Sequence, residues 1–540
     1  MVRPEWYIFL RSGRNDLSDH LVCQSPTHPY KLTMPAQPMA SPSDHVASLN
    51  AARADKSFFG HPRGLATLFF TEMWERFSYY GMRAILIFYL TSSVAKGGLG
   101  FADSKAGAVY GLYASMVYLM CLAGGWIADR AIGQRRAVLI GGIFIACGQF
   151  CLVVPRESAF YLGLILLVCG TGLLKGNVST IVGQLYHQGD PRRDSGFSIF
   201  YMGINIGALI SPLICGYVGE RISWRLGFGM AGLGMLAGVI QYLVTSRHLG
   251  SAGLHPASTG DPERDLREKK STIRAMGIGA AVVAVLAALG MSGVVEINAN
   301  MLSDGQGWLL LGISVVVFSW LIFFGNWSPV ERKRCAAILV LFISSALFWA
   351  AFEQAGSSLS LFAERGTNCT IFGFAFPASW FQSVQPIFVI VLAPVFAWIW
   401  LAMGRREPSS PAKFSLGLLS GGLAFLILVP PAYMVVSGSK VGPHWLIGTY
   451  LLQTIGELCL SPVGLSAMSK LAPARATGFM MGIWFLSTSI GNWLAGKAAS
   501  LYSSMPLPTL FGSVAGFSIV AAIVLAILIK PTVRLMQGVK

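Results

Sequence analysis

The sequence predicts an all-α polytopic membrane protein, and three observations carry that prediction. Of 540 residues, 54% are hydrophobic and only 12% are charged, about half the charged share of a soluble domain. The mean hydropathy is +0.60, and apolar runs of roughly 20 residues or more recur, each long enough to cross a bilayer as a helix. The third observation lies in the first of these runs, which Glu72, Glu75, Arg76, Tyr79, Tyr80 and Arg83 interrupt. At 100° per residue the six share one stripe roughly 140° wide, with Phe, Leu, Ile and Met on the remainder. An ionisable group at mid-bilayer costs about 2.5–3.5 kcal/mol on insertion scales, so the stripe implies a wet, charged cavity inside a helical bundle.

Several function classes fall away on composition. The net charge of +16 would suit a nucleic-acid binder, but Lys and Arg sit mostly in short loops, the usual positive-inside bias, and no nucleic-acid partner is expected. Nine cysteines are scattered without a CxxC pair or a disulfide framework. All eight histidines lie in the N-terminal extension or near span ends. No metal site and no cofactor are expected, and intramembrane proton chemistry is left to carboxylates. HExxH and GxSxG motifs are absent, so the chain is not expected to be an enzyme.

Residues 1–56 are a polar extension, expected to be disordered, with no apolar core long enough for a signal peptide or a span. Met34 or Met39 is expected to be the physiological start. Fourteen spans follow, at about 63–93, 104–128, 136–154, 158–182, 194–220, 224–246, 273–296, 306–327, 334–362, 376–403, 413–436, 444–469, 474–501 and 510–530. An even number places both termini on one side. The loops on that side carry Arg130, Arg135, Arg136, Arg192, Arg193, Arg332, Lys333 and Arg334, so both termini are expected to be cytoplasmic. The charged segment 247–272 reads as a cytoplasmic linker. The partition is then six, two and six: bundles at 57–246 and 328–540 as two pseudo-repeats, with an inserted hairpin at 273–327. That hairpin has few buried charges and is expected to be peripheral.

Beyond the first span, deep charges are sparse. Lys175 lies in GTGLLKGN, where no strand precedes and no GK[ST] closes a phosphate loop. Glu353 follows Trp349 by one turn. Gln453, Glu457 and Ser461 form a second polar stripe at i, i+4 and i+8, and Asn205 lies in the fifth span. Lys497, near a span end, is expected to snorkel. The N-terminal half thus holds the cations Arg76, Arg83 and Lys175 with the carboxylates Glu72 and Glu75. The C-terminal half holds Glu353 and Glu457 and no deep cation. Facing each other across a cavity, the halves form a dipole suited to a guest with a carboxylate at one end and an ammonium at the other. Four carboxylates against three cations leave one unmatched, a seat for a proton. Internal salt bridges alone are the bland alternative, but seven such groups cost roughly 20 kcal/mol on insertion before pairing, and packed apolar residues would serve structure as well. Trp349, Trp484, Tyr79 and Tyr118 fit core packing and pocket lining equally.

The motifs resemble the proton-dependent oligopeptide transporter family of the major facilitator superfamily, over about residues 60–535. Glu72-x-x-Glu75-Arg76-Phe77-x-Tyr79-Tyr80-Gly81 is similar to the family's ExxERFxYYG element, and Phe200-Tyr201-x-x-Ile204-Asn205-x-Gly207 to its fifth-helix motif. Gly125, Asp129, Arg130, Gly133, Arg135 and Arg136 resemble the superfamily's cytoplasmic loop motif. The resemblance implies a bacterial-type di- and tripeptide permease of the inner membrane, a monomer with the superfamily fold, driven by proton symport. By the same resemblance Glu72, Glu75, Arg76, Lys175 and Glu353 would couple protons. Arg76 and Lys175 would hold the peptide carboxylate, drawn from their Glu partners, and Asn205 and Glu457 its amino group. Tyr79, Tyr80, Arg83, Tyr118, Trp349, Glu353, Ser461 and Trp484 would line the pocket. The chain departs from the family in Gln382-Ser383-Val384-Gln385-Pro386, where Gln385 replaces a substrate-contacting asparagine, and in lacking the second-span histidine of animal members. Transport of another small zwitterion or anion (an amino acid, nitrate or a peptide-like drug) is the competing expectation.

Overall fold

The computed structural model describes residues 42–539 apart from 188, 257, 259, 292–297, 326 and 474–476. The expectations for residues 1–41, including the start at Met34 or Met39, lie outside the described residues. Pro42–Ala54 is helical (α1), so the polar extension is not irregular throughout. Then come α2 (Arg63–Thr91), α3 (Asp103–Ile127), α4 (Gln134–Val153), α5 (Glu157–Gln184), α6 (Arg193–Ser211), the short α7 (Tyr217–Arg221) and α8 (Trp224–Thr245). The inserted pair is α9 (Pro262–Met291) and α10 (Ala299–Ser319). The second bundle runs α11 (Pro329–Phe352), α12 (Ser358–Gly366), α13 (Val384–Met403), α14 (Ser410–Leu426), α15 (Val429–Val436), α16 (His444–Leu471), α17 (Thr477–Ser500) and α18 (Leu507–Leu535). A two-stranded hairpin, β1 (Thr370–Ile371) and β2 (Phe374–Ala375), tops the loop after α12.

Among the described residues, eleven helical segments are long and apolar enough to cross a membrane. The charges of α2 keep it outside that set, and α17 dilutes its apolar residues with Ser487, Thr488, Ser489 and Asn492. Both are interior helices, where polar side chains meet protein rather than lipid. Three expected spans are interrupted. Pro212, lacking an N–H, ends α6 in a π-helical turn before α7. The ninth span breaks into a 3-10 turn at Glu353–Gly356. The eleventh breaks between α14 and α15, where Pro430 and Pro431 follow. The linker is partly helical too, since α9 starts at Pro262, eleven residues before the expected span.

The two bundles meet on the side opposite the basic loops. There α3 and α17 pack backbone to backbone, and a Cβ on Gly111 would stand 2.6 Å from the Gly496 Cα. Only glycine permits that approach. The seal is completed by Asp103, at the start of α3, which takes Arg365 of α12 in a bidentate pair at 2.7 and 2.9 Å. Glu220 adds another contact, accepting the backbone N–H groups of Ala378 and Ser379 at 3.0 and 2.8 Å. At the basic side, α5 and α16 show no extensive packing among the described residues.

Helix α10 of the inserted hairpin, though largely exposed, touches both bundles. The Gln306 amide of α10 donates to Leu112 O of α3 at 3.4 Å, and Trp493 of α17 donates to Ser303 O at 2.8 Å. Lys497, near the end of α17, pairs with the exposed Asp304. Helix α10 therefore straddles the seam between the bundles.

Substituting Gly111 by Leu should cost about 1–3 kcal/mol through overpacking at the seam. Thermal unfolding in detergent checks this against Gly312→Leu, where a Cβ meets nothing within 4 Å and the midpoint should stay put.

Candidate functional site

The polar stripe of α2 faces inward, against α3, α5, α6 and α8. Arg76 is its centre, 2% exposed. Its Nε lies 3.3 Å from Glu72 and also contacts Glu75, so one guanidinium serves two carboxylates. Its charge is further spread over the Tyr79 ring, whose centroid is 5.0 Å away.

Two turns along α2, Arg83 reaches across to the second bundle. It pairs with Glu353 at 2.7 Å, and its Nε donates to the Tyr110 hydroxyl at 2.8 Å. The break after α11 makes this possible, because Gly356 leaves room where a Cβ would stand 1.8 Å from the Tyr110 hydroxyl and 2.7 Å from Arg83 Nε. The ion pair bridging the bundles is thus built by a helix interruption, with both partners buried.

Lys175 departs from expectation. No carboxylate lies within ion-pairing distance among the described residues, so it is not drawn from a Glu partner. Instead its ammonium sits over the Tyr118 ring at 4.1 Å. Glu457 is the mirror case: among the described residues no cation pairs with it, and its Oε2 accepts from the Gln385 amide at 2.7 Å. Lys175 and Glu457 are both only half-buried. Tyr80 lies within electrostatic reach of Arg76, Arg83, Glu353 and Glu457, so the charges of the two bundles converge on one region. Tyr201 is 43% exposed yet interacts with Glu457 and Tyr80. Its exposure is to a central space rather than to lipid.

The remaining expected residues divide. Asn205 is buried and donates to Tyr201 O at 2.9 Å. Ser461 is half-buried, one turn from Glu457. Trp349 and Trp484, 8% and 5% exposed, join the aromatic and aliphatic core of the second bundle. Packing accounts for Trp484, whereas Trp349 keeps an indole N–H without a partner. The loop motif works within the first bundle. Gln134 donates to Asp129 at 2.8 Å, and Arg135 caps the end of α8 through Ser246 O and Gly250 O, both at 2.7 Å. Arg130 pairs with Glu268 of α9 at 3.2 Å. Gly133 supplies a turn at φ 79°, Arg136 is exposed, and nothing lies near a Cβ on Gly125. The histidine expectation holds for His61, which lies just before α2 and bonds the Tyr186 hydroxyl at 2.9 Å. Burial and the nearby Arg192 hold its imidazole below its usual value.

Sequence reasoning missed Tyr110, Tyr113, Glu220 and the Asp103–Arg365 pair, and gave Tyr201 only as a motif residue. The phenols carried a signal, since Tyr110, Tyr113 and Tyr118 supply, with Ser115, the polar atoms of an apolar stretch of α3. The Asp103–Arg365 pair carried none, as its partners lie 262 residues apart. The unmatched carboxylate is also placed differently from a simple count. Arg76 takes two Glu, Arg83 takes one, and a cation and a carboxylate remain unpaired on opposite bundles.

Two six-helix bundles sealed at one end, with unpaired opposite charges between them, define a membrane transporter rather than an enzyme. The POT family model matches residues 135–511. The chain is 45% identical to the uncharacterized transporter YclF of Bacillus subtilis (strain 168), over 90% of this chain and 97% of that one. It is 37% identical to a di-/tripeptide transporter of Lactococcus lactis subsp. cremoris, over 91% and 100%. A crystal structure of a peptide transporter POT in complex with sulfate superposes with a TM-score of 0.85 at 41% identity, covering 92% of this chain and 100% of that one. The chain belongs to the POT family, a family of transporters.

Replacing Gln385 by Leu should leave Glu457 without a partner and cost about 1–3 kcal/mol. Adding Glu457→Gln should recover most of that loss, because no unpaired charge remains. A double-mutant cycle on unfolding in detergent measures the coupling.

Proposed function

We propose that the protein is a proton-coupled symporter that imports di- and tripeptides across the inner membrane by alternating access, acting as a monomer. One observation carries the reading: among the described residues Lys175 on α5 and Glu457 on α16, in opposite bundles, each lack an ion-pair partner, and Tyr80 lies within electrostatic reach of charges from both bundles. A peptide supplies both missing charges, its carboxylate toward Lys175 and Arg76, its ammonium toward Glu457 and Asn205. The names of related proteins support the substrate class.

In this reading both termini lie in the cytoplasm, which the basic loops support. The sealed end is then extracellular, and the arrangement described is the one that faces the cytoplasm. In this scheme peptide and proton enter from outside while Glu353 is protonated and Arg83 is released. Loss of that proton restores the Arg83–Glu353 pair and closes the outer end. Glu72 and Glu75 around Arg76 accept charge changes as the peptide carboxylate engages Arg76. A proton moving inward gains about 2.3 kcal/mol per 100 mV, enough to concentrate a peptide some tens-fold.

Uptake of labelled dialanine into vesicles reconstituted with the protein tests this. An inward proton gradient should drive accumulation, an uncoupler should abolish it, and unlabelled tripeptides should compete where nitrate does not. Accumulation indifferent to the uncoupler would overturn the proton coupling.

A further inference from the structure

The two bundles meet along two seams, and the seams are built differently. Between α3 and α17 the backbones touch: a Cβ on Gly107 would stand 2.5 Å from Ser500 N, and Gly111 repeats this closeness against Gly496. Ser489 donates to Ser115 O across the same seam at 2.8 Å. Helix α10 then spans it, bonded to α3 through Gln306 and to α17 through Trp493 and Lys497. Backbones this close leave no room for water, and the strap ties both sides.

The second seam lies between α6–α7 and the 3-10 turn Ala378–Ser383 that leads into α13. Ser383 donates to Leu209 O at 2.8 Å, and the Trp380 indole to Leu213 O at 3.2 Å. Glu220 accepts from the N–H groups of Ala378 and Ser379, and Arg221 donates to Ala375 O at 3.3 Å. As one chain advances from Leu209 to Arg221, the other retreats from Ser383 to Ala375, so the contacts form an antiparallel ladder. Every rung has a backbone group as one partner. Two of the acceptors, Leu209 O and Leu213 O, flank Pro212, where the π-helical turn loosens the helix. Among the described residues neither helix of the inserted hairpin packs extensively on this seam.

We propose that the α3–α17 seam, strapped by α10, is the hinge of outer opening, and that the mouth forms at the ladder between α6–α7 and α13. The inference deepens the alternating-access reading above and rests on it, adding where the outer end parts. A hinge needs contacts that persist through the motion, and α10, tied to both sides of its seam, supplies them. A mouth needs contacts that separate without stranding polar groups. The rungs meet that need, since water entering from outside replaces each lost partner. Glu220 is the acidic rung: its two oxygens take two N–H groups, and a Gln in its place sets an amide NH₂ against one of them. A peptide arriving from outside then enters between α7 and the β1–β2 hairpin.

Distance distributions between two pairs of spin labels, in a cysteine-depleted background, test the asymmetry. Ile222 and Phe372, both exposed, report on the ladder, and the exposed Ser104 and Ser504 report on the strapped seam. In Glu220→Gln the longer-distance population of the Ile222–Phe372 pair should at least double, while the Ser104–Ser504 distribution stays as in the unmodified protein. Trp380→Phe, which loses one rung, should shift the same pair in the same direction, and it decides the matter if Glu220→Gln does not fold. An unchanged Ile222–Phe372 distribution overturns the proposal. Equal lengthening of both pairs also overturns it, because the strapped seam is then no hinge. These distances do not depend on transport: unmodified protein that takes up no dialanine sinks the transport reading and leaves the result at the seams standing.

Discussion

The fold depends on how a chain keeps charge inside hydrocarbon. An ion taken out of water costs several kcal/mol even after relaxation, and removing one member of a buried pair costs about 3–5 kcal/mol. The chain meets this in two ways. Within α2, Arg76 is shared by Glu72 and Glu75, which makes a permanent cluster on one bundle. Between bundles, Arg83 is satisfied only while Glu353 is in place. The second arrangement makes the packing of the two halves conditional on a protonation state. A neutral Glu353 would leave Arg83 with the Tyr110 hydroxyl and the Glu353 backbone carbonyl, and the seal at that end would lose a buried ion pair. Asp103–Arg365 and Glu220 hold the rim of the same seal, where partial exposure weakens each contribution.

Most of the architecture was legible because bilayer thickness imposes a length and a hydropathy on every span. Among the described residues, eleven helical segments long and apolar enough to cross a membrane fall on expected spans. The inward stripe of α2 was equally legible, since charge on one face of an apolar helix has nowhere else to go. What escaped were features that depend on pairing at a distance. The seam contacts of α10 escaped because Ser303, Gln306 and Asp304 are weak signals one at a time. Their importance comes from Leu112, Trp493 and Lys497 on the seam. Lys175 was expected to have a Glu partner, and its rest on Tyr118 follows from geometry that no spacing rule encodes.

The interruptions share a logic. The break after α11 sets Glu353 at a helix terminus and admits Arg83 and Tyr110 over Gly356. The turn at Pro212 precedes the stretch whose end, Glu220, caps the helix start at Ala378. Non-helical backbone at membrane depth is tolerated where it is covered by protein or lines a cavity, and each of these breaks supplies a contact between bundles. Gln385 belongs with them as a local departure: its longer amide reaches Glu457 and occupies one of the directions a cationic guest would take.

The central claim is that the ionised Glu353–Arg83 pair holds the two bundles together on the side opposite the basic loops. The direct measurement is a distance distribution between spin labels at Val94 and Lys440, in a cysteine-depleted background, for the unmodified protein and for Glu353→Gln. A short distance that gains a longer population in Glu353→Gln is the predicted result. Identical distributions in the two proteins would contradict the account.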